Sequence, residues 1–133
     1  MEHVSEEDYL RAIYSLSEKN KEQGVKVSKL AEQLGITKAS VSAMADKLEK
    51  KKLLKAEPYS PLFLTKKGLK EANRITHNYR VIEVFLTEIL DYNKTNVRKE
   101  AHRMEHSFSD KSIRKLDMFL NNPKTCPHGK KIH

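Results

Sequence analysis

Cysteine is nearly absent: Cys126 is alone in 133 residues, which excludes an internal disulfide framework and fits a reducing compartment. Long apolar runs are missing too. No segment approaches the roughly 18 consecutive apolar residues of a membrane span, and the chain begins acidic and polar rather than with a basic leader and an apolar run. A cytoplasmic protein with no membrane partner is expected. No internal repeat or low-complexity block is present. Acidic residues are outnumbered, with 18 Asp plus Glu against 26 Lys plus Arg and a formal net charge of +8, so a polyanionic partner is favoured, nucleic acid first. A hydrophobic fraction of 38% supports a modest core, either one compact domain or two small interlocked ones.

The elements that are there follow hydrophobic periodicity. Ser5-Glu6-Glu7-Asp8 reads as a capping box, and Tyr9, Leu10, Ile13, Tyr14 and Leu16 recur at helical spacing up to a polar break at 19–24. Asp8, at the third helical position, has a capping duty available and is equally a carboxylate that a metal could use. Val27, Leu30, Ala31 and Leu34 make the stripe of a short helix that Gly35 ends; Thr37 caps a second helix carrying Val41, Met44, Ala45 and Leu48. This is helix-turn-helix spacing, with small Ala31 at the crossing and glycine in the turn. Two short helices joined tightly also occur in bundles that bind no DNA. Residues 53–57 and 62–64 then read as two strands around Pro58-Tyr59-Ser60-Pro61, a hairpin placed as a wing.

Thr65 opens a long helix with an apolar stripe of Leu69, Ala72, Ile75, Tyr79, Ile82, Phe85, Leu86 and Ile89. At about 1.5 Å per residue it extends over roughly 30 Å or more. After a loop at 91–94 a further helix runs to about His106, and Ser109 caps a last one with Ile113, Leu116, Met118, Phe119 and Leu120. These two short helices form either a dimer interface or a flap folded back on the long helix. Residues 121–133 read as a polar tail containing Cys126-Pro127-His128-Gly129, in which a thiolate and an imidazole two residues apart can share a metal or stay unliganded. Glu83 reads as a carboxylate at the edge of the long stripe.

Chemistry concentrates in Glu100-Ala101-His102-Arg103-Met104-Glu105-His106. On a helix, positions 102, 105 and 106 share one face on consecutive turns, so two imidazoles and a carboxylate point the same way. Three such donors suit a divalent first-row ion and leave it needing a ligand from elsewhere. The same residues also suit a solvated face of charge pairs, as expected of a metal-independent winged-helix transcription factor. They match the H-x-x-E-H pattern of inverted zinc peptidases as well, with Glu105 as general base, although a chain of this length leaves little room for a roofed peptide cleft.

The order of these parts resembles the metal-dependent repressors of the diphtheria toxin repressor family, the iron-dependent and manganese-transport regulators. The likeness covers essentially the whole chain; its most specific pieces are Glu7 to Tyr14, Glu105-His106 followed by Ser109-Asp110, and Cys126-Pro127-His128-Gly129. It implies a mostly α fold, with a winged helix-turn-helix DNA-binding domain over 1–68 and an all-helical metal-binding and dimerisation domain over 69–133, in the short form without an SH3-like domain. It also implies a cytoplasmic homodimeric regulator rather than an enzyme, without a small organic substrate, that binds an inverted-repeat operator in double-stranded DNA when loaded with Fe(II) or Mn(II), with Zn(II) as a further candidate. It usually represses metal-uptake genes.

By the resemblance Asp8, Glu105 and His106 are metal ligands, with His102 where iron-type members carry cysteine and manganese-type members glutamate. The manganese-type second carboxylate is replaced by Arg11, the usual long-helix histidine by Tyr79, and the iron-type second-site histidine by Arg98. Glu83, Cys126 and His128 then make a variant second site. Thr37, Lys38, Ala39, Ser40 and Ser42, at the start of the recognition helix, are expected in the major groove, with Lys47 adding salt-dependent affinity.

Overall fold

Where each element starts and stops follows from its capping chemistry. A computed structural model describes residues 4–20 and 22–133. Among the described residues the elements are α1 (Glu6–Ser17), α2 (Val27–Leu34), α3 (Lys38–Lys50), β1 (Leu54–Lys55), β2 (Phe63–Leu64), α4 (Lys66–Glu88), α5 (Val97–Glu105) and α6 (Asp110–Phe119). The expected mostly helical class, a winged helix-turn-helix followed by helices, is what the chain adopts. It divides into two compact units, one reaching to Ile75 and the other Thr76–His133, with the division inside α4. No helix among the described residues is long and apolar enough to cross a membrane.

In the first unit, the Ser5 hydroxyl accepts the Asp8 N–H while Asp8 Oδ2 accepts the Ser5 N–H at 2.8 Å, closing the capping box. Gly35 ends α2 with φ 67°, and Thr37 Oγ1 accepts the Ser40 N–H to start α3. The buried side of these helices brings Leu10, Ile13, Leu30, Val41, Leu48 and Leu54 into one core. At the surface Glu6 ties α1 to α3, 2.7 Å from the Lys51 ammonium and 3.3 Å from Lys47. The hydrogen bond from Lys51 holds the Glu6 carboxyl below the usual range.

The wing is shorter than its sequence pattern suggests. β1 and β2 pair antiparallel, Leu54 with Leu64 and Lys55 with Phe63. Beyond Lys55 the Ala56 N–H donates to the Glu49 carboxylate instead of continuing the ladder, and Leu62 pairs with Val25 on a third side. At the other end the Leu53 carbonyl accepts the Thr65 N–H. Thr65 is the joint between hairpin and helix: its hydroxyl donates to the Lys52 carbonyl (2.7 Å) and accepts the Gly68 N–H (3.0 Å), capping α4 as expected. Gly68 lies so close to the hairpin that a Cβ on it would come 1.8 Å from the Leu53 carbonyl oxygen.

The second unit is built on two faces of α4. Ile82 and Leu86 pack with Val97 and Ala101 of α5 and Ile113 of α6. Val81 and Val84, which the single-stripe reading omits, are buried against Cys126 and Ile132. The segment read as a polar tail is therefore folded. Thr125 and Lys131 form a bridge, the Cys126 N–H donates to the Lys130 carbonyl, and the buried Arg80 guanidinium donates to the Lys131 carbonyl at 2.7 Å. Its apolar anchors are only two residues wide, so periodicity does not reveal them. α6 folds back on α4 through Ile113, while Met118 and Phe119 on it stay exposed, as do Ile89 and Leu90 at the end of α4.

Replacing Gly68 with alanine is expected to destabilise the first unit by about 3 kcal/mol or more, because the obstacle is backbone rather than a flexible side chain. Urea denaturation of the variant beside the parent protein measures this.

Candidate metal centre and nucleic-acid face

α5 delivers its donors at its C-terminal end. Val97 and Ala101 face the core, Glu105 follows Ala101 one turn later with its side chain almost fully covered, His102 lies beside it, and His106 is the C-cap. The His102 and His106 rings meet edge to face, centroids 5.7 Å apart, and Glu105 Oε1 lies 3.6 Å from His106 Nε2. One donor atom from each of the three lies within 4.8 Å of the others. Two imidazoles and a carboxylate at such separations form a partial coordination sphere for a borderline divalent cation. The Glu105 side chain is only 4% exposed, so ionising it without a cation or donor nearby would be costly.

Asp8 serves the capping box, and its other oxygen accepts from Arg11 Nη2 at 3.2 Å. The residue is buried. A carboxylate carries about four lone-pair sites, so a capping duty does not by itself preclude ligation. Arg11, which stands where manganese-type members carry an acid, gives Asp8 a fixed positive neighbour instead.

The second set lies wholly within the second unit. Glu83 of α4 and Cys126 and His128 of the folded C-terminal segment bring one donor atom each within 4.8 Å of one another. Their orientation is fixed from outside. His128 Nε2 is 2.9 Å from the Lys94 carbonyl, an acceptor only, so that nitrogen carries the hydrogen. Nδ1 is then left 3.1 Å from Glu83 Oε2, both atoms buried and neither in hydrogen-bond geometry with the other. At that separation one cation could be shared by the imidazole nitrogen and the carboxylate oxygen. The Lys130 N–H donates to Cys126 Sγ at 3.4 Å, which orients the sulfur. A set of nitrogen, sulfur and oxygen donors fits a transition ion rather than magnesium or calcium.

The first unit carries the nucleic-acid face. Lys38, Ala39, Ser40 and Ser42 are exposed on the opening turns of α3, and Thr37 is occupied with capping. Lys47 is exposed as well, but its ammonium is shared with Glu6. Beside α3 lies a cleft of about 540 Å³ between Lys38 and Ser42, the start of α2 at Lys26 and Ser28, and the wing at Pro58 and Tyr59. α2 has no side-chain cap, which leaves its first amides to bind an anion. Lys26 and Ser28 were not expected at this face; the available signal is a lysine where Ser, Thr, Asp or Asn would normally cap.

Comparison with known proteins agrees with both halves. Residues 3–62 match the iron dependent repressor N-terminal DNA binding domain, and residues 65–133 the iron dependent repressor metal binding and dimerisation domain. An uncharacterized HTH-type transcriptional regulator of Methanocaldococcus jannaschii is 35% identical over 114 residues, 86% of this chain and 90% of the relative. The HTH-type transcriptional regulator MntR of Oceanobacillus iheyensis is 35% identical over 117 residues, 88% of this chain and 78% of its own. The solved structure of the manganese regulator SloR superposes with a TM-score of 0.85 at 37% identity, covering 98% of this chain and 60% of that one. The chain thus spans about three fifths of that solved relative. With a helix-turn-helix in one unit, clustered potential metal donors in the other and the two family profiles matching residues 3–62 and 65–133, the chain belongs to the iron-dependent repressor family.

Proposed function

We propose that the chain is a transcriptional regulator whose affinity for an inverted-repeat operator is set by a divalent transition metal, Fe(II) or Mn(II), with Zn(II) also acceptable to the donors. The observation that carries this is the clustering of His102, Glu105 and His106 at the end of α5, in a unit matching a metal-binding and dimerisation domain. The primary ligands are these three together with Asp8. Bound there, the ion supplies a positive centre that carboxylates and imidazoles from distant parts of the chain satisfy together. Glu105 and His106 are held for it by the α5 terminus, and Asp8 by its capping box. Glu83, Cys126 and His128 form a second site, supported by the fixed tautomer of His128.

Residues 1–68 act as the DNA-binding domain and 69–133 as the metal-binding and dimerisation domain, with Met118, Phe119, Ile89 and Leu90 as apolar surface for the homodimer. Thr37, Lys38, Ala39, Ser40 and Ser42 enter the major groove, and Lys47 contributes to the surrounding positive field. Regulation follows from population: a ligand set gathered from separated stretches of chain is satisfied in one arrangement of the dimer, so metal favours the arrangement that fits two half-sites. The gain is bounded by the metal's differential affinity for the competing arrangements. The protein works in the cytoplasm, represses metal-uptake genes, takes no organic substrate and has no catalytic role; Glu105 is a ligand rather than a general base.

His106→Ala is expected to remove the response of DNA affinity to Mn(II), a loss of about 5- to 150-fold at saturating metal, without changing binding in chelator. A mobility shift on duplexes selected from a random-sequence pool, titrated with Fe(II), Mn(II), Zn(II) or chelator, reads this directly; metal-blind binding by the parent protein counts against the mechanism. Cys126→Ser is expected to lower bound metal by one ion per subunit in equilibrium dialysis while His106→Ala retains that ion, and equal stoichiometry in Cys126→Ser and parent would remove the second site.

A further inference from the structure

The wing tip holds a side chain where folding alone does not favour one. Tyr59 is fully exposed, with a relative accessibility of 108%, and its backbone is left-handed, φ 61°. A bulky residue enters that region against a steric penalty, and a turn chosen for stability would carry Gly or Asn there. The neighbours keep the strain in place. Pro58 and Pro61 fix their own backbone angles on either side, and the Ser60 N–H donates to the Glu57 carbonyl. Below them the Leu54–Leu64 pair and the Val25–Leu62 bridge pin the hairpin. A ring displayed wholly in water on a strained, braced turn contributes nothing to the core, and strain of this kind collects at functional positions.

The surroundings identify what the ring meets. Tyr59 lines the cleft that Lys38 and Ser42 of α3 and Lys26 and Ser28 of α2 also line. A helix seated in the major groove leaves one phosphodiester strand running alongside it, and beyond that strand lies the minor groove. Lys26, Ser28 and the uncapped α2 amides suit the strand itself. Asp46 and Glu57 also line the cleft and repel phosphate, which holds the strand toward the lysines. The tip beyond is Pro58, Tyr59 and Pro61, uncharged and better suited to sugars and base edges than to phosphate.

We propose that Tyr59 is a minor-groove wedge, its ring packed against deoxyribose and base edges of the duplex next to the segment that α3 occupies. The inference rests on the DNA-binding function proposed above, and its occupant is double-stranded DNA. Such a wedge senses groove width and step flexibility, so part of the sequence preference lies in flanking base pairs that α3 never touches.

Tyr59→Asn removes the ring and suits the backbone, so it is expected to raise the thermal midpoint by a few degrees. The same substitution should weaken the Mn(II)-loaded protein about ten-fold on a duplex selected from a random-sequence pool. Opposite signs distinguish a wedge from a structural residue, whose loss would lower stability and binding together. Tyr59→Phe keeps the ring and should bind within about two-fold of the parent. The chain has no tryptophan, so Tyr59→Trp supplies a single tryptophan, excited apart from the tyrosines at the red edge and expected to be quenched and shielded from acrylamide at saturating duplex. Unchanged affinity in Tyr59→Asn, or a tryptophan as open to acrylamide in the complex as in the free protein, overturns the wedge and leaves the DNA-binding function standing. Failure of the parent protein to bind any duplex from the pool overturns both.

Discussion

A carboxylate taken out of water must be given positive charge or hydrogen-bond donors, and among the described residues Asp8 and Glu83 are buried, with the Glu105 side chain nearly so. Asp8 and Glu83 each have partners close by. Asp8 has a backbone amide and the Arg11 guanidinium. Glu83 has His128, whose ring is turned by the Lys94 carbonyl so that its Nδ1 faces the carboxylate. A protein that needed only stability would replace such groups with apolar ones. Their retention accords with a family whose C-terminal domain is described as metal binding.

The nucleic-acid face has a different logic. Its parts are small: three serines, an alanine and a few lysines on α3 and at the start of α2, beside a cleft rather than on a flat positive patch. Short side chains of this kind reach less far than arginine or glutamine, the residue types that commonly read base edges. Lys47 shows how local pairing edits a formal charge. It counts toward the net +8, yet Glu6 holds its ammonium at 3.3 Å.

Much of this was legible in the sequence where chemistry is local. Ser5 with Asp8, Gly35, Thr37, Thr65 and Ser109 mark helix ends by their own side chains or their lack of one, and each does so in the folded chain. The donors at 102, 105 and 106 share a face because helical geometry alone puts them there. What stayed hidden depends on contacts made far along the chain. Val81 and Val84 give α4 a second buried face only because Cys126 and Ile132 return to cover it, and two apolar residues in thirteen leave no period to read. Lys26 and Ser28 join the cleft through the packing of α2, and the left-handed turn at Tyr59 contradicts the preference of its own residue type.

The joint at Thr65 governs what evolution can do with the wing. Thr65 bonds both the hairpin and the first turn of α4, and Gly68 lies against the Leu53 carbonyl with no space for a methyl group. Hairpin and helix start therefore share one set of backbone bonds, with no slack residue between them. Lengthening or shortening the tip around Pro58 to Pro61 leaves that joint intact, whereas a single residue inserted between Leu64 and Gly68 would turn the helix by about 100° against its core. Length variation among related chains should accordingly collect in the tip and avoid the joint.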